Sequence, residues 1–226
     1  MTDSIEVPVV AIDGPSGSGK GTIARRVAES LGWHLLDSGA LYRLVGLDAA
    51  RKNIPLDDEM ALAELARDLD VRFASDPTGD EQIVLNGEYV TAAVRTEDAG
   101  TGASAVAGFQ AVRDALLARQ RAFRRAPGLV ADGRDMGTQV FADAAVKVFL
   151  TASPEERAKR RHKQLNDKGI DVNLAAVSRD IVDRDKRDSE RSVAPLRPAE
   201  DARILDSSGR PIEEVTQTVL DWVSSI

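Results

Sequence analysis

The stretch Gly14-Pro15-Ser16-Gly17-Ser18-Gly19-Lys20-Gly21-Thr22 constrains the chain more than any other. It follows the apolar run Val7-Pro8-Val9-Val10-Ala11-Ile12 and precedes Ile23, Val27 and Leu31, apolar residues at helical spacing that stop at Gly32. Strand, glycine-rich loop and helix in this order make a phosphate-binding loop. Its glycines let successive backbone N–H groups turn inward on an anion, and the helix N-terminus adds the positive end of its dipole. Lys20 is then expected to reach the β and γ phosphates of the bound ligand. The loop departs from the general G-x-x-x-x-G-K-[ST] pattern at Gly21, where a hydroxyl normally touches magnesium, so another residue has to hold that ion. The rival reading, a glycine-rich turn without a ligand, leaves the strand before it and the amphipathic helix after it unexplained.

Composition narrows what surrounds this loop. The 226 residues suffice for one sizeable core, or for a core with an insertion. A net charge of −7 argues against a surface made to hold nucleic acid. The absence of cysteine excludes disulfides, thiolate zinc sites and cysteine nucleophiles together. With Asp3 near the N-terminus and no long apolar run, neither a secretory signal nor a membrane span is expected, and the cytoplasm is the default location.

Along the chain, Trp33-His34-Leu35-Leu36 reads as a second strand, and Asp37 or Ser38 caps a helix carrying Leu41, Leu44 and Val45. A helix starting near Asp57 and Asp58 follows. The period then changes: Val71–Phe73, Gln82–Leu85 and Tyr89-Val90 read as strands of a small antiparallel sheet, joined by a turn from Asp76 to Asp80 and by the hairpin signal Asn86-Gly87. A helix from Gln110 to Arg125 leads into a third core strand, Leu129-Val130-Ala131, which runs into Asp132-Gly133-Arg134-Asp135-Met136-Gly137. Charged residues at the carboxyl end of a parallel strand lie where open α/β sheets bind ligands. Val146–Leu150 is the fourth strand, and Ser153-Pro154-Glu155-Glu156 opens a helix as a capping box. That helix carries Arg157, Lys159, Arg160, Arg161 and Lys163, either as a solvated face or to close over ATP phosphates. A helix from about Asn173 to Arg187, a fifth strand Arg203–Asp206 and a last helix with Ile212, Val215, Val219 and Val223 complete the chain. Five strands alternating with helices predict a parallel sheet with helices on both faces.

Several stretches are more specific than the loop. Leu36-Asp37-Ser38-Gly39-Ala40-Leu41-Tyr42-Arg43, Asp132 to Gly137, Arg184 to Arg191 followed by Val193-Ala194-Pro195-Leu196, and Leu205-Asp206-Ser207 together resemble the bacterial cytidylate kinase family, and the resemblance spans almost the whole chain. It implies an α/β P-loop kinase fold, a single domain over 1–226, with an inserted monophosphate-binding lobe at about 38–110 and a helical lid at about 153–191. The activity implied is transfer of the γ-phosphoryl group of Mg-ATP to CMP or dCMP, in pyrimidine nucleotide metabolism. ATP lies on Gly14 to Thr22. Arg43, Arg134 and Arg191 match positions that hold the acceptor phosphate; Arg184 and Asp188 match those that contact the sugar; Ser38 belongs to the same site. Ser104, Arg113 and Asp135 match the cytosine-contacting positions. Cytosine presents an N4 amino donor beside two acceptors, which suits a carboxylate beside an arginine. The resemblance thus implies Lys20, Arg134, Arg184 and Arg191 as the catalytic set.

The residues agree with such chemistry. A nucleotide monophosphate is largely ionised near neutral pH, so its attacking oxygen needs no general base. Only His34 and His162 are available, and His34, inside an apolar strand, reads as a packed core residue. Asp132, at a strand end facing the loop, is the candidate for holding magnesium through water. A monomer acting on free ATP and CMP or dCMP, without nucleic acid or membrane, is expected. The rivals are another P-loop kinase of a small metabolite and a non-catalytic nucleotide switch; the second would need a base-selecting motif and a water-positioning residue that the sequence lacks.

Overall fold

The structure is a computed structural model that describes residues 7–75, 81–167 and 169–225. The chain divides into two compact units, one formed by the segment up to Asp37 and from Gln120 onward, the other by Ser38–Arg119.

The first unit is built on five parallel strands: β1 (Val9–Asp13), β2 (His34–Asp37), β6 (Leu129–Gly133), β7 (Val146–Thr151) and β8 (Arg203–Asp206), in the order β2-β6-β1-β7-β8. Burial explains the order. β1 and β6 are enclosed at every position, as central strands between two helical layers must be, whereas the edge strands β2 and β8 each have one buried residue. On one face Val10, Ile12, Val130, Val148 and Leu150 pack with Ile23 and Val27 of α1 (Lys20–Leu31) and Val215, Val219 and Val223 of α9 (Ile212–Val223). Each such side chain withdrawn from water contributes about 1.5–3 kcal/mol. His34 is not a core residue: it is exposed on the edge strand, with Nε2 3.0 Å from the Ala126 carbonyl oxygen. The strand lies where the apolar run predicts it, but at a sheet edge one side of the alternation faces solvent.

Two further helices belong to this unit, α7 (Pro154–Asn166) and α8 (Leu174–Glu190). The Ser153 hydroxyl accepts a hydrogen bond from the Glu156 N–H and Pro154 occupies the first helical turn, as the capping box requires; Asn173 caps α8. The two pair through a small cluster of Ala158, Leu165, Val177 and Ile181.

The second unit begins with α2 (Ser38–Arg51) and α3 (Glu59–Arg67), the latter capped by Asp58. The antiparallel sheet follows as β3 (Val71–Ser75), β4 (Glu81–Leu85) and β5 (Glu88–Tyr89). Asn86 and Gly87, at φ 50° and 83°, make the tight turn between the last two. The turn expected from Asp76 to Asp80 lies outside the described residues. After β5 come α4 (Thr91–Val94) and α5 (Glu97–Val106), two helices that the sequence pattern does not announce. α5 packs on α2 at a contact of two glycines: a Cβ on Gly46 would stand 3.2 Å from the backbone carbon of Gly102. α6 (Gln110–Arg121) ends four residues before the expected Arg125, as the N–H groups of Phe123 and Arg124 bond three residues back to Gln120 and Arg121. Among the described residues no helix is long and apolar enough to cross a membrane.

Candidate active site

The loop between β1 and α1 is shaped by what it touches. A Cβ on Gly14 would stand 2.0 Å from the Leu150 carbonyl oxygen, so the loop can leave the sheet at this point only without a side chain. Gly19, at φ 89°, holds the left-handed conformation that turns the chain into α1. Lys20, first residue of that helix, reaches back across the loop so that Nζ donates to the Pro15 carbonyl at 3.2 Å.

Three strand ends converge here with acids. Asp37 pairs in register with Asp132, and Ile12, one residue before Asp13, pairs with Asp132 on the other side. The Asp132 carboxylate explains Gly21: a Cβ there would lie 3.1 Å from Asp132 Oδ2, so the space that a serine or threonine needs is taken by an acid. Oxygen donors of this kind suit magnesium. Among the described residues no group of three or more histidines and acids is placed to hold a metal.

Asp13 is a site residue that the sequence pattern does not single out. Its carboxylate accepts hydrogen bonds at 2.8 Å from the N–H groups of both Met136 and Gly137, and so fixes the π-helical turn Met136–Val140 that follows β6. Burial pushes its carboxyl up to about 7, against these two hydrogen bonds, while Asp135 and Asp132 push the same way as burial. The available signal was a charged residue at the end of an otherwise apolar strand. Asp135, just before the turn, is buried, and its carbonyl accepts from Gln139 and Val140.

Four predicted cations gather in this unit. Arg134 Nε donates to Asp188 Oδ2 at 3.0 Å, and Arg191 donates to Asp188 Oδ1. Asp188 is 1% exposed; burial raises its carboxyl, but Arg134, Arg191 and Arg184 outweigh that and hold it below the ordinary value. Lys20 shows the opposite effect. Burial and the positive fields of Arg134 and Arg184 lower its ammonium to about 8, although Asp132 and Asp37 oppose them. An ammonium weakened by burial and by two guanidiniums marks a place where added negative charge is favourable.

Two arginines of α7 have partners that the helix pattern does not announce. Arg157 and Arg160 are not part of a purely solvated face: they donate to the carbonyls of Ser16 at 3.1 Å and Ser18 at 3.3 Å. Arg160 also donates to the hydroxyl and carbonyl of Ser207, whose own hydroxyl donates to the Ser18 carbonyl at 3.0 Å. A helix sequence shows which residues share a face, not which neighbour that face meets.

The remaining predicted residues belong to the second unit. Ser38 is the buried first residue of α2, and Arg43 on the same helix donates from Nη1 to the carbonyls of Val94 and Thr96, both at 3.0 Å. Ser104 is buried on α5, and Arg113 of α6 lies with its guanidinium carbon 5.7 Å from the centre of the Tyr42 ring. Thus Arg43, Arg113 and Ser104 sit on three helices of one small unit, while Lys20, Arg134, Asp135, Arg184, Asp188 and Arg191 belong to the other.

Comparison with known proteins bears on the whole chain. The family described as Cytidylate kinase matches residues 10–225. A cytidylate kinase of Pseudomonas aeruginosa is 59% identical over 215 residues, covering 95% of this chain and 94% of that protein, and one of Aeromonas hydrophila is 58% identical with 95% and 93% covered. A solved structure of an uncharacterized protein from Eubacterium ventriosum, 11% identical, superposes with a TM-score of 0.51 over 97% of this chain and 99% of its own, a likeness of fold alone. A phosphate-binding loop with glycine in place of the metal-binding hydroxyl, an acid beside that glycine, an inserted antiparallel sheet and near-complete coverage at such identity place this chain in the cytidylate kinase family.

Proposed function

We propose that the protein transfers the γ-phosphoryl group of ATP to CMP and dCMP, giving ADP with CDP or dCDP. The observation that carries this reading is the set of cations around Lys20, whose ammonium is lowered to about 8 by burial, Arg134 and Arg184. Two polyanions must be brought in line for such a transfer, and their repulsion is the main obstacle that the protein has to remove. The loop Gly14–Thr22 binds the donor phosphates with its amides. Lys20 stabilises the transferring group, Arg43, Arg134 and Arg191 hold the acceptor phosphate, and Arg184 and Asp188 contact the sugar. No side chain has to take a proton, because the acceptor oxygen is ionised near neutral pH.

Asp188 also pairs with Arg134 and Arg191 and so keeps both forks aimed at one place. Ser104, Arg113 and Asp135 select cytosine, with Asp135 accepting from N4. Asp132, beside Gly21, would hold magnesium through water, and the ion would supply further charge neutralisation when bound with ATP. All the named groups belong to one chain, which acts as a monomer in the cytoplasm, where free nucleotides are held.

The test is a panel of nucleoside monophosphates assayed with Mg-ATP by ADP release and direct detection of the diphosphate. CMP and dCMP are expected to be the best acceptors. Transfer to a non-nucleotide metabolite only, or ATP hydrolysis without transfer, overturns the reading.

A further inference from the structure

Arg157 is 3% exposed and reaches four acceptors. Nε donates to the Ala152 carbonyl at 3.0 Å, Nη1 to the Ser16 carbonyl at 3.1 Å, and Nη1 and Nη2 to the two carboxylate oxygens of Asp185 at 2.9 and 2.5 Å. Gly17 lies against its stem, where a Cβ would stand 3.2 Å from Arg157 Cβ. Burying a guanidinium is costly unless it is paired, and only a planar fork can serve these acceptors together, so lysine is no substitute.

The bond to Ser16 has a geometric result. In a trans peptide the C=O and the following N–H point in opposite directions. A Ser16 carbonyl held by Arg157 on the outer side of the loop therefore aims the Gly17 N–H toward the inner side. Ser18, whose carbonyl is held by Arg160 and Ser207, aims the Gly19 N–H likewise. The amides that meet an anion are thus set from behind.

Asp185 gives this setting a connection. It neighbours Arg184 on α8 and precedes Asp188 by three residues, and Arg191 is the C-cap of the same helix. The helix that presents the acceptor-side groups is therefore fastened to the donor loop through Arg157. We propose that Arg157 is a positioning residue for phosphoryl transfer, orienting the Gly17 amide toward the donor phosphates, and that Asp185 acts through it, so that a change on α8 is felt in the loop. The inference rests on the reading above that α8 holds phosphate.

Calorimetric binding of the non-hydrolysable analogue AMP-PNP to the full chain, with steady-state kinetics, tests it. Arg157→Lys is expected to weaken AMP-PNP by about tenfold or more and to lower kcat/KM for ATP. Asp185→Asn, nearly isosteric and at a partly exposed carboxylate, is expected to weaken AMP-PNP in the same direction without lowering the melting temperature in proportion, although Asp185 itself meets the loop through Arg157. In the double variant the two losses should not add, because the second substitution acts on a bond already gone. Asp185→Asn that binds AMP-PNP as wild type does, or that loses affinity equally in the Arg157→Lys background, overturns the proposal. Should Arg157→Lys not fold, the Asp185→Asn measurement decides alone. Failure of the underlying reading has a separate signature: Arg191→Ala would keep wild-type kcat/KM for CMP.

Discussion

Replacing Asp13 by asparagine separates what this carboxyl does for the site from what it costs the fold. In the folded chain burial pushes it up to about 7, despite two hydrogen bonds from Met136 and Gly137 that pull it down; its ordinary value is 3.8. Between these values the folded chain keeps a proton that the unfolded chain releases. Stability from this group is therefore fully present below about pH 3.8 and is lost as pH rises through about 7. Each unit of difference is worth about 1.4 kcal/mol, so the whole window amounts to about 4 kcal/mol. The substituted amide does not titrate, and the variant lacks this slope. Urea unfolding of the ligand-free wild type and Asp13→Asn across that window should show the variant gaining on the wild type as pH rises, by about 2–4 kcal/mol in all. Activity should move the other way. The amide oxygen can accept from one of the two N–H groups, but its NH2 opposes the other, so above about pH 7, where Asp13 is ionised, a charge-assisted bond worth about 1.5–3 kcal/mol is lost at the turn that follows Arg134 and Asp135. A wild-type-minus-variant stability that does not change with pH would refute the reasoning, since Asp13 would then not titrate differently on folding.

Lys20→Met is expected to leave a folded protein whose rate at saturating substrates falls by about a hundredfold or more, and a rate within about threefold of wild type would sink the role given to Lys20. Asp135→Ala should depress kcat/KM for CMP by roughly ten- to a thousandfold, about 1.4 to 4 kcal/mol, with a smaller loss for UMP. The CMP-to-UMP ratio decides, because a folding defect lowers both alike. Gly46→Val forces a branched side chain against the α5 backbone at Gly102 and should destabilise the protein by about 1–3 kcal/mol in urea unfolding; an unchanged midpoint contradicts the close contact.

What the sequence made legible is what short-range chemistry controls. Alternation and apolar runs located all five core strands, Asp58 and Ser153 announced their helices, and Asn86-Gly87 announced its turn. Contacts between distant segments decided the rest. α5 has no wide apolar stripe because it packs through Gly102 and small neighbours, so its fit to α2 leaves little periodic trace. His34 looked enclosed from its apolar neighbours, and only the strand order shows that β2 is an edge. Gly21 stood out as a departure, but its cause, the carboxylate of Asp132, is far along the chain. The same distance hid Asp13, whose partners are two backbone amides with no side-chain signature.

The strand order also bears on how the chain is assembled at the ribosome. β1 is made first yet sits in the middle of the sheet, and its two neighbours come late: Val9 pairs with Leu129 and Val10 with Val146. The segment Ser38–Arg119 is synthesised in between, and its sheet pairings are with residues of its own stretch. Closing so long a gap costs little at equilibrium, because the entropy grows only as the logarithm of length, but non-local pairing is slow. Until Leu129 has emerged, this apolar central strand has no partner, so it is a site for holding chaperones and for aggregation. Nascent chains arrested before Leu129 should therefore show unprotected amides from Val9 to Ile12 in hydrogen exchange, and protection there would contradict this order. The phosphate-binding loop, written among the first residues, takes its shape only after more than half of the chain has been made.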